Sequence, residues 1–238
     1  MINLRKTKSL PRITREWDTI ADLREQQIAS GEDHSANFVL APAILGALPQ
    51  SKSLIDIGCG TGWLTSLASR RAELLVGVDP SPNSIAIAEK LHAGPSISYR
   101  AETVEQYARR RKRPEFDTAI SNMAASSAPD LQHFFSASRR LLRRNGLFIL
   151  TFPHPCFWPL YWGYASHPKF RYECSFAVEG KFKIRTQVTQ MVTTHFHHPL
   201  ELYFSSLARA RFELKSMREL SGRGFELPRF VLVTSRAI

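Results

Sequence analysis

Cysteine is scarce in this chain: three in 238 residues, Cys59, Cys156 and Cys174. They show neither paired zinc spacing nor an even-numbered framework, which excludes a disulfide scaffold and a cysteine-built metal site. Reduced thiols are expected, and with them a cytoplasmic protein. Acidic residues are also few, 21 against 32 Lys and Arg, leaving a formal net charge of +11. No apolar run approaches the ~18 residues that span a bilayer, so no membrane partner is expected. The basic start, Met1 to Arg15, lacks the apolar core of a secretory signal. Repeats and low-complexity tracts are absent. Two phosphate-binding glycine motifs are missing as well: no Gly-Lys-Ser/Thr follows a glycine loop, and no G-x-G-x-x-G occurs.

What is present is a globular composition, 43% hydrophobic, in a length that suits one domain with an elaboration or two. Apolar runs at 53–57, 74–78, 96–100, 116–121 and 147–152 alternate with amphipathic stretches at 63–70, 83–92, 104–110 and 129–142. Strands that are apolar throughout, each followed by a helix, predict a parallel sheet covered on both faces. The alternation breaks after Phe152 and resumes at a helix over 199–209, with strands at 212–220 and 230–236. Between them, 170–178 and 181–192 read as strands joined at Glu179-Gly180, a hairpin turn. The expected architecture is one domain, 1–238. It is a doubly wound, seven-stranded, mostly parallel α/β sheet with the last strand antiparallel. An N-terminal helical cap (1–34) and an inserted β-hairpin lid (156–195) complete it.

The first glycine loop, Gly58-Cys59-Gly60-Thr61-Gly62, follows the first strand of that sheet. Ligands of open α/β sheets sit at the carboxyl ends of the strands. Its spacing is G-x-G-x-G, and Trp63 stands where a dinucleotide fold needs a small residue for close helix–strand packing, which argues against NAD or FAD. Val76-Gly77-Val78-Asp79 puts a carboxylate at the end of the next strand, where it can accept from both hydroxyls of a ribose.

These two elements resemble the class I S-adenosylmethionine (SAM) dependent methyltransferases. Leu-Ile-Asp-Ile-Gly-Cys-Gly-Thr-Gly (54–62) is similar to their first motif, and Asp79 to the ribose-binding acid. The resemblance extends to Glu102, at the position that accepts from the adenine amino group, and to Phe116–Met123, the fourth motif, beside the methionine moiety. It implies a SAM site built from Asp56, Gly58, Cys59, Gly60, Gly62, Asp79, Pro80, Glu102, Ser121 and Asn122, with S-adenosylhomocysteine as product. Asp56 would bond either the loop backbone or the SAM amino group.

The acceptor is read from what surrounds that core. His154-Pro155-Cys156-Phe157 follows the fifth strand, and five aromatics fall in eight residues: Phe157, Trp158, Tyr161, Trp162 and Tyr164. They wall a pocket for a flat or apolar acceptor, or they seal the hairpin to the sheet. Trp17, Phe157, Trp158, Tyr161 and His198 are the candidate acceptor contacts. His154 and His197 are the candidate bases, needed only if the acceptor must lose a proton. His195, His197 and His198 have no acid or cysteine at ligand spacing, so no metal is expected. Pro155-Cys156 matches the nucleophilic pair of C5-cytosine enzymes over two residues only, and a packed thiol is the expectation for Cys156.

The basic runs Arg70-Arg71, Arg109 to Arg113, Arg139-Arg140 and Arg143-Arg144 precede strands. That puts them at helix C-terminal turns, opposite the ligand edge, where the helix dipole favours cations. The leading expectation is methyl transfer to an O or N atom of a small molecule, in a monomer or homodimer. Arg5, Lys6, Lys8, Arg12 and Arg15 keep a tRNA or rRNA substrate as the alternative. A SAM-binding protein that no longer methylates is a third reading.

Overall fold

A computed structural model describes residues 2–184, 187–222 and 224–238. The chain opens with a short strand β1 (Asn3–Arg5), then α1 (Leu10–Thr19), α2 (Ala21–Ala29), a π-helical turn Ala36–Leu40 and α3 (Ala41–Ala47). The regular alternation follows: β2 (Ser51–Ile57), α4 (Trp63–Ala68), β3 (Ala72–Asp79), α5 (Pro82–Leu91), β4 (Ile97–Ala101), α6 (Val104–Arg109), β5 (Phe116–Asn122), α7 (Leu131–Leu141) and β6 (Leu142–Pro153). A short helix α8 (Trp158–Trp162) leads to the hairpin β7 (Phe176–Ile184) and β8 (Gln187–His197). The chain then closes with α9 (Leu200–Arg209), β9 (Phe212–Leu220) and β10 (Phe230–Ala237).

The main sheet has seven strands in the order β4-β3-β2-β5-β6-β10-β9, and β10 runs antiparallel to both its neighbours. Strand order reverses between β2 and β5, so their carboxyl ends flank the crevice where such sheets bind ligands. Alternate residues of each strand feed opposite faces. Ile55, Ile57, Phe148 and Leu150 pack under α6, α7 and α9 with Phe134, Phe135, Tyr203 and Phe212. Leu54, Leu75, Ile120 and Ile149 pack under α3 and α4 with Ile44 and Leu64. Each such side chain taken from water contributes roughly 1.5–3 kcal/mol, which is why strands apolar on both faces settle in the middle layer. Three helices are started by their own sequence. Ser81 caps α5, Asp130 caps α7, and Thr103 with Gln106 forms a capping box on α6.

β1, β7 and β8 form a second, three-stranded sheet. β1 was not anticipated: three residues carry too little pattern, and the strand exists because β7 offers an edge, with Leu4 opposite Val178. The hairpin also differs from expectation. β7 runs straight through Glu179 and Gly180, and its pairing with β8 continues to Ile184 opposite Gln187. Gly180 serves packing rather than reversal, since a Cβ there would lie 3.0 Å from the Trp162 ring. One face of this sheet holds Leu4, Trp162, Tyr164, Phe176 and Val178. The other takes α1 through Ile13, Ala177 and Phe196, and through Ile20, Phe182, Ile184 and Trp17. The N-terminal helices and the hairpin are therefore one packed unit. Lys8 fastens it, donating to Glu16, to Glu179 (2.6 Å) and to Thr194 Oγ1 (3.0 Å).

Several basic residues of the strand-approach edge are spent inside the fold. Arg139 donates to the carbonyls of Leu142 and Ile238, and Arg143 pairs with Asp117 at 2.6 Å. Arg110 departs from expectation: it reaches back along the short α6 to pair with Glu102 at the ligand edge. Among the described residues, no helix is long and apolar enough to cross a membrane.

Candidate functional site

The glycine loop leaves β2 by hanging from β3: Gly58 and Cys59 N–H both donate to the Val78 carbonyl, at 2.8 and 3.1 Å. Gly58 has φ +74°, and a Cβ there would stand 2.2 Å from that of Ala124, so only glycine lets the loop lie against the Ala124 methyl after β5. Gly60 has φ +55° but faces open space, with nothing within 4 Å of where a Cβ would be. The loop is thus a cradle packed at Gly58 and Gly62, against Ala124 and Tyr99, and open at Gly60 between them. Cys59 contributes backbone only; its thiol is buried against Gly77, and burial, then Asp79 and Asp56, pushes its pKa well up.

Asp79 lies across the cradle. Its Oδ2 accepts from Gly60 N–H (3.0 Å) and its Oδ1 from Ser81 N–H (2.9 Å). Each oxygen keeps a lone pair for a further donor, as two ribose hydroxyls require. Burial raises its pKa to about 6 against those bonds, with Asp18 adding to the rise. Pro80 is half-buried and sets up the turn into α5.

Asp56, one strand inward, is 1% exposed. Of the two roles open to it, the loop-backbone bond is not made. Oδ2 accepts from Thr65 Oγ1 at 2.7 Å, and Oδ1 has no partner. Burial raises its pKa to about 7. A buried carboxylate oxygen without a donor is costly and suits an ammonium group. Ser121 Oγ, at the end of β5, is likewise buried and unpartnered. Asn122 Oδ1 accepts from Thr151 Oγ1 (2.7 Å), which leaves its amide N–H groups unspent. Glu102 pairs with Arg110 through Oε1 alone.

The histidines are tied into the fold. Cys156 N–H donates to His154 Nδ1 (3.2 Å), so the proton sits on Nε2, which donates to Glu219 (2.8 Å). With both nitrogens committed and the ring 2% exposed, His154 is not free to take an acceptor proton in this arrangement. His197 Nε2 donates to the Tyr172 carbonyl (2.9 Å) and its Nδ1 faces the Tyr164 hydroxyl at 3.5 Å. His198 Nε2 donates to the Ala128 carbonyl (3.1 Å) and its Nδ1 accepts from Ser175 (3.0 Å). Burial lowers the pKa of both. Cys156 is exposed, not packed, with Sγ 3.6 Å from the Tyr172 hydroxyl.

The aromatic run divides between two tasks. Trp162 and Tyr164 are buried under the second sheet, and Phe157 lies on the His154 ring at 4.5 Å. Trp158 and Tyr161 are half-buried. Trp158 donates from Nε1 to His195 Nε2 (3.1 Å) and packs with Phe225 and Phe230 in the cluster that reaches Met123. Trp17 meets Phe182 edge-on at 5.9 Å, and its Nε1 is buried without a partner.

Four residues at this edge escaped sequence reasoning. His195, pushed to about pKa 3 by burial, had only cluster membership as a signal. Asp18 accepts from Ser81 Oγ (2.7 Å) and Asn83 N–H (2.9 Å), joining α1 to the N-terminus of α5 two residues from Asp79. Nothing local marks it, because both partners lie more than sixty residues away. Arg229 and Lys183 meet Tyr161 only through the tertiary fold.

Residues 55–150 match a family model described as a methyltransferase domain. The ubiquinone biosynthesis O-methyltransferase of Bradyrhizobium diazoefficiens is 37% identical over 101 residues, 41% of this chain and 38% of that one. The chain thus spans about two fifths of the length of that curated relative. Among solved structures, a SAM-dependent methyltransferase from Mesorhizobium loti superposes with a TM-score of 0.61 at 22% identity, covering 82% of this chain and 96% of that one. The N-methyltransferase NodS of Bradyrhizobium japonicum, in complex with S-adenosylhomocysteine, superposes with a TM-score of 0.58 at 13% identity over 83% of each chain. Residues 55–150 are thus similar to a methyltransferase domain, and the whole fold is that of the superposed SAM-dependent methyltransferases. The residues at this edge suit the cofactor of those neighbours: a glycine loop open at Gly60, a strand-end carboxylate with lone pairs to spare, and a buried oxygen of Asp56 that lacks a partner among the described residues.

Proposed function

We propose that this chain transfers the methyl group of SAM to an oxygen or nitrogen of a small molecule. The observation that carries the reading is the cradle itself, with Asp79 on one side and the partnerless Asp56 oxygen below. The relatives named as O-methyltransferases favour oxygen.

The bound sulfonium supplies a methyl group already activated for in-line displacement. The protein's task is to align the acceptor and exclude water. Asp79 would hold the ribose, Asp56 the amino group, and the Asn122 amide the methionine moiety. As the bond from the acceptor atom to the methyl carbon forms, the carbon–sulfur bond breaks and its electron pair stays on sulfur. An acceptor hydroxyl must also lose its proton. His154, His197 and His198 have their nitrogens committed, which supports transfer to an acceptor that ionises readily or releases its proton to water. The cap (1–34) and hairpin (156–195) supply specificity, because the core motifs are committed to SAM.

A nucleic-acid substrate is disfavoured by the fate of the cations. Arg5 and Lys8 are spent on Glu16 and Glu179, and Arg139 and Arg143 on internal acceptors. Calorimetry with SAM, followed by transfer of labelled methyl to a panel of hydroxylated and aminated aromatics, tests the proposal. Binding without transfer to any acceptor would return the reading to a cofactor-binding protein, and absence of SAM binding would end it.

A further inference from the structure

Two cations, Arg229 and Lys183, share one aromatic neighbour, Tyr161, and neither is paired with a carboxylate among the described residues. Arg229 lies between two rings, its Cζ 3.8 Å from the centroids of both Tyr161 and Phe225. Lys183 Nζ is 4.9 Å from the Tyr161 ring and 5.6 Å from that of Trp162, and donates only to the Tyr161 carbonyl at 3.0 Å. Both are half-buried, and neither makes an ion pair among the described residues. The nearby Asp33 is engaged by Arg24 at 2.7 Å and by Ala36 N–H. Burial lowers the pKa of both cations, and Lys183 is lowered further by Arg229 itself. Two like charges gathered and partly desolvated are unfavourable unless something neutralises them. The cation–π contacts offset part of that cost, but they engage the guanidinium face and leave its hydrogen-bonding edge unspent among the described residues.

The pair's position gives the vacancy a meaning. The Arg229 carbonyl accepts from His154 N–H (2.8 Å), which places it at the carboxyl end of β6. Phe225 and Trp158 share one apolar cluster with Met123, the residue after Asn122. Arg229 therefore stands at the carboxyl end of β6, on the edge of the sheet that the methyltransferase reading gives to the acceptor, with Tyr161 and Phe225 against it. The plates are made for a flat molecule and the cations for a negative group on it.

We propose that Arg229 and Lys183 anchor the acceptor by its charge, and that the acceptor is a planar molecule bearing a carboxylate or a comparable anionic group. The proposal rests on the methyltransferase reading above. It assigns the guanidinium edge to the anion in a bidentate contact, with the Lys183 ammonium as the second, point-like contact. The aromatic body would lie against Trp158 and Tyr161, its reacting atom directed away from the anchor toward Asn122.

The test uses 3,4-dihydroxybenzoate and its neutral amide, 3,4-dihydroxybenzamide, as probes, titrated calorimetrically into the full chain saturated with S-adenosylhomocysteine. The carboxylate should bind about ten- to a hundredfold more tightly, the range of a charge-assisted hydrogen bond. Arg229→Met and Lys183→Met should each narrow the gap and the double variant should close it, with S-adenosylhomocysteine affinity unchanged. Should Arg229→Met fail to fold, Lys183→Met alone must still narrow the gap. Equal affinity for the two probes, binding of neither, or a gap that survives in the double variant overturns the anchor. Failure of S-adenosylhomocysteine to bind the wild-type chain would instead remove the methyltransferase reading beneath it.

Discussion

Replacing Asp56 by Asn should make the protein more stable and worse at holding its cofactor. The carboxyl group is 1% exposed, one oxygen has only the Thr65 hydroxyl, and the other has nothing. Burial raises its pKa from 3.8 to about 7. A carboxyl group that ionises more readily in the unfolded chain than in the folded one withdraws stability as pH rises between those two values. Below about pH 4 it is protonated in both states and costs nothing. Above about pH 7 it is charged in both, and the buried charge carries its full penalty. At 1.36 kcal/mol per pKa unit the upper limit is on the order of 4 kcal/mol. Asn keeps the shape and an acceptor for Thr65 but has no charge to bury. Its advantage should therefore be absent near pH 4, grow toward pH 7 and level off beyond. Urea denaturation of both proteins at several pH values reads this directly, since contributions common to both cancel. SAM binding should move the other way, weakened about ten- to a hundredfold at pH 8 by loss of the charge-assisted bond to the amino group. A stability difference that does not depend on pH, or a less stable Asn variant at pH 8, refutes the reasoning about burial. Unchanged SAM affinity refutes the assignment of the orphaned oxygen.

Asp79→Ala should cost about 1.5–3 kcal/mol of SAM binding by calorimetry, because it removes the ribose acceptor and the support of Gly60 N–H together. Wild-type SAM affinity should weaken as pH falls below about 7, since Asp56 and then Asp79, near 6, take up protons that binding must displace; a flat profile from pH 8 to 5 contradicts this. Asp18→Ala should release α1 from α5 at a cost of about 1 kcal/mol, the scale of a lost cap, and should raise hydrogen exchange in residues 10–29 while Asp18→Asn restores protection. Neutralising Arg109, Lys112 and Arg113 together should leave methyl transfer within a few-fold of wild type, and a salt-dependent rise in KM would reopen the nucleic-acid substrate.

The central sheet was legible because its information is local. The inner strands β2, β5 and β6 are apolar on both faces, and the glycine loop and Asp79 stand at fixed distances along one βαβ unit, so spacing alone places them on one edge. The order of those seven strands and the single antiparallel one follow from the family resemblance that the same motifs carry. The accessory sheet was only half legible. Two apolar runs separated by Glu179-Gly180 announce a hairpin, but the same glycine answers to steric pressure from Trp162, and no sequence rule separates a glycine that turns from one that makes room. β1 has three residues and is defined by its partner, not by itself. The histidines misled for a related reason. Their placement after a strand end is where a base would stand, yet the property that decides is whether a ring nitrogen is unspent, and that depends on Glu219, Tyr172, Ala128 and Ser175, all distant in sequence or supplied by backbone.

That division between local and distant information matches a division of labour in the molecule. On the proposed reading, the residues that would meet SAM come from strand ends, with Asp79 held by backbone N–H groups and Asp56 and Asn122 by the hydroxyls of Thr65 and Thr151. The residues proposed to meet the acceptor come from α1, α8, β7 and the segment before β10, and are held by side-chain packing between elements far apart in the chain. Such a surface can change its specificity by single substitutions at Trp158, Tyr161, Lys183 or Arg229 without disturbing the cradle, because none of these touches Gly58, Gly60 or Asp79. Asp18 is the exception. It belongs to the accessory unit through α1 and to the cofactor edge through Ser81, whose N–H also donates to Asp79. A change in how Asp79 is engaged is thus felt two bonds away at the helix that packs on the acceptor side.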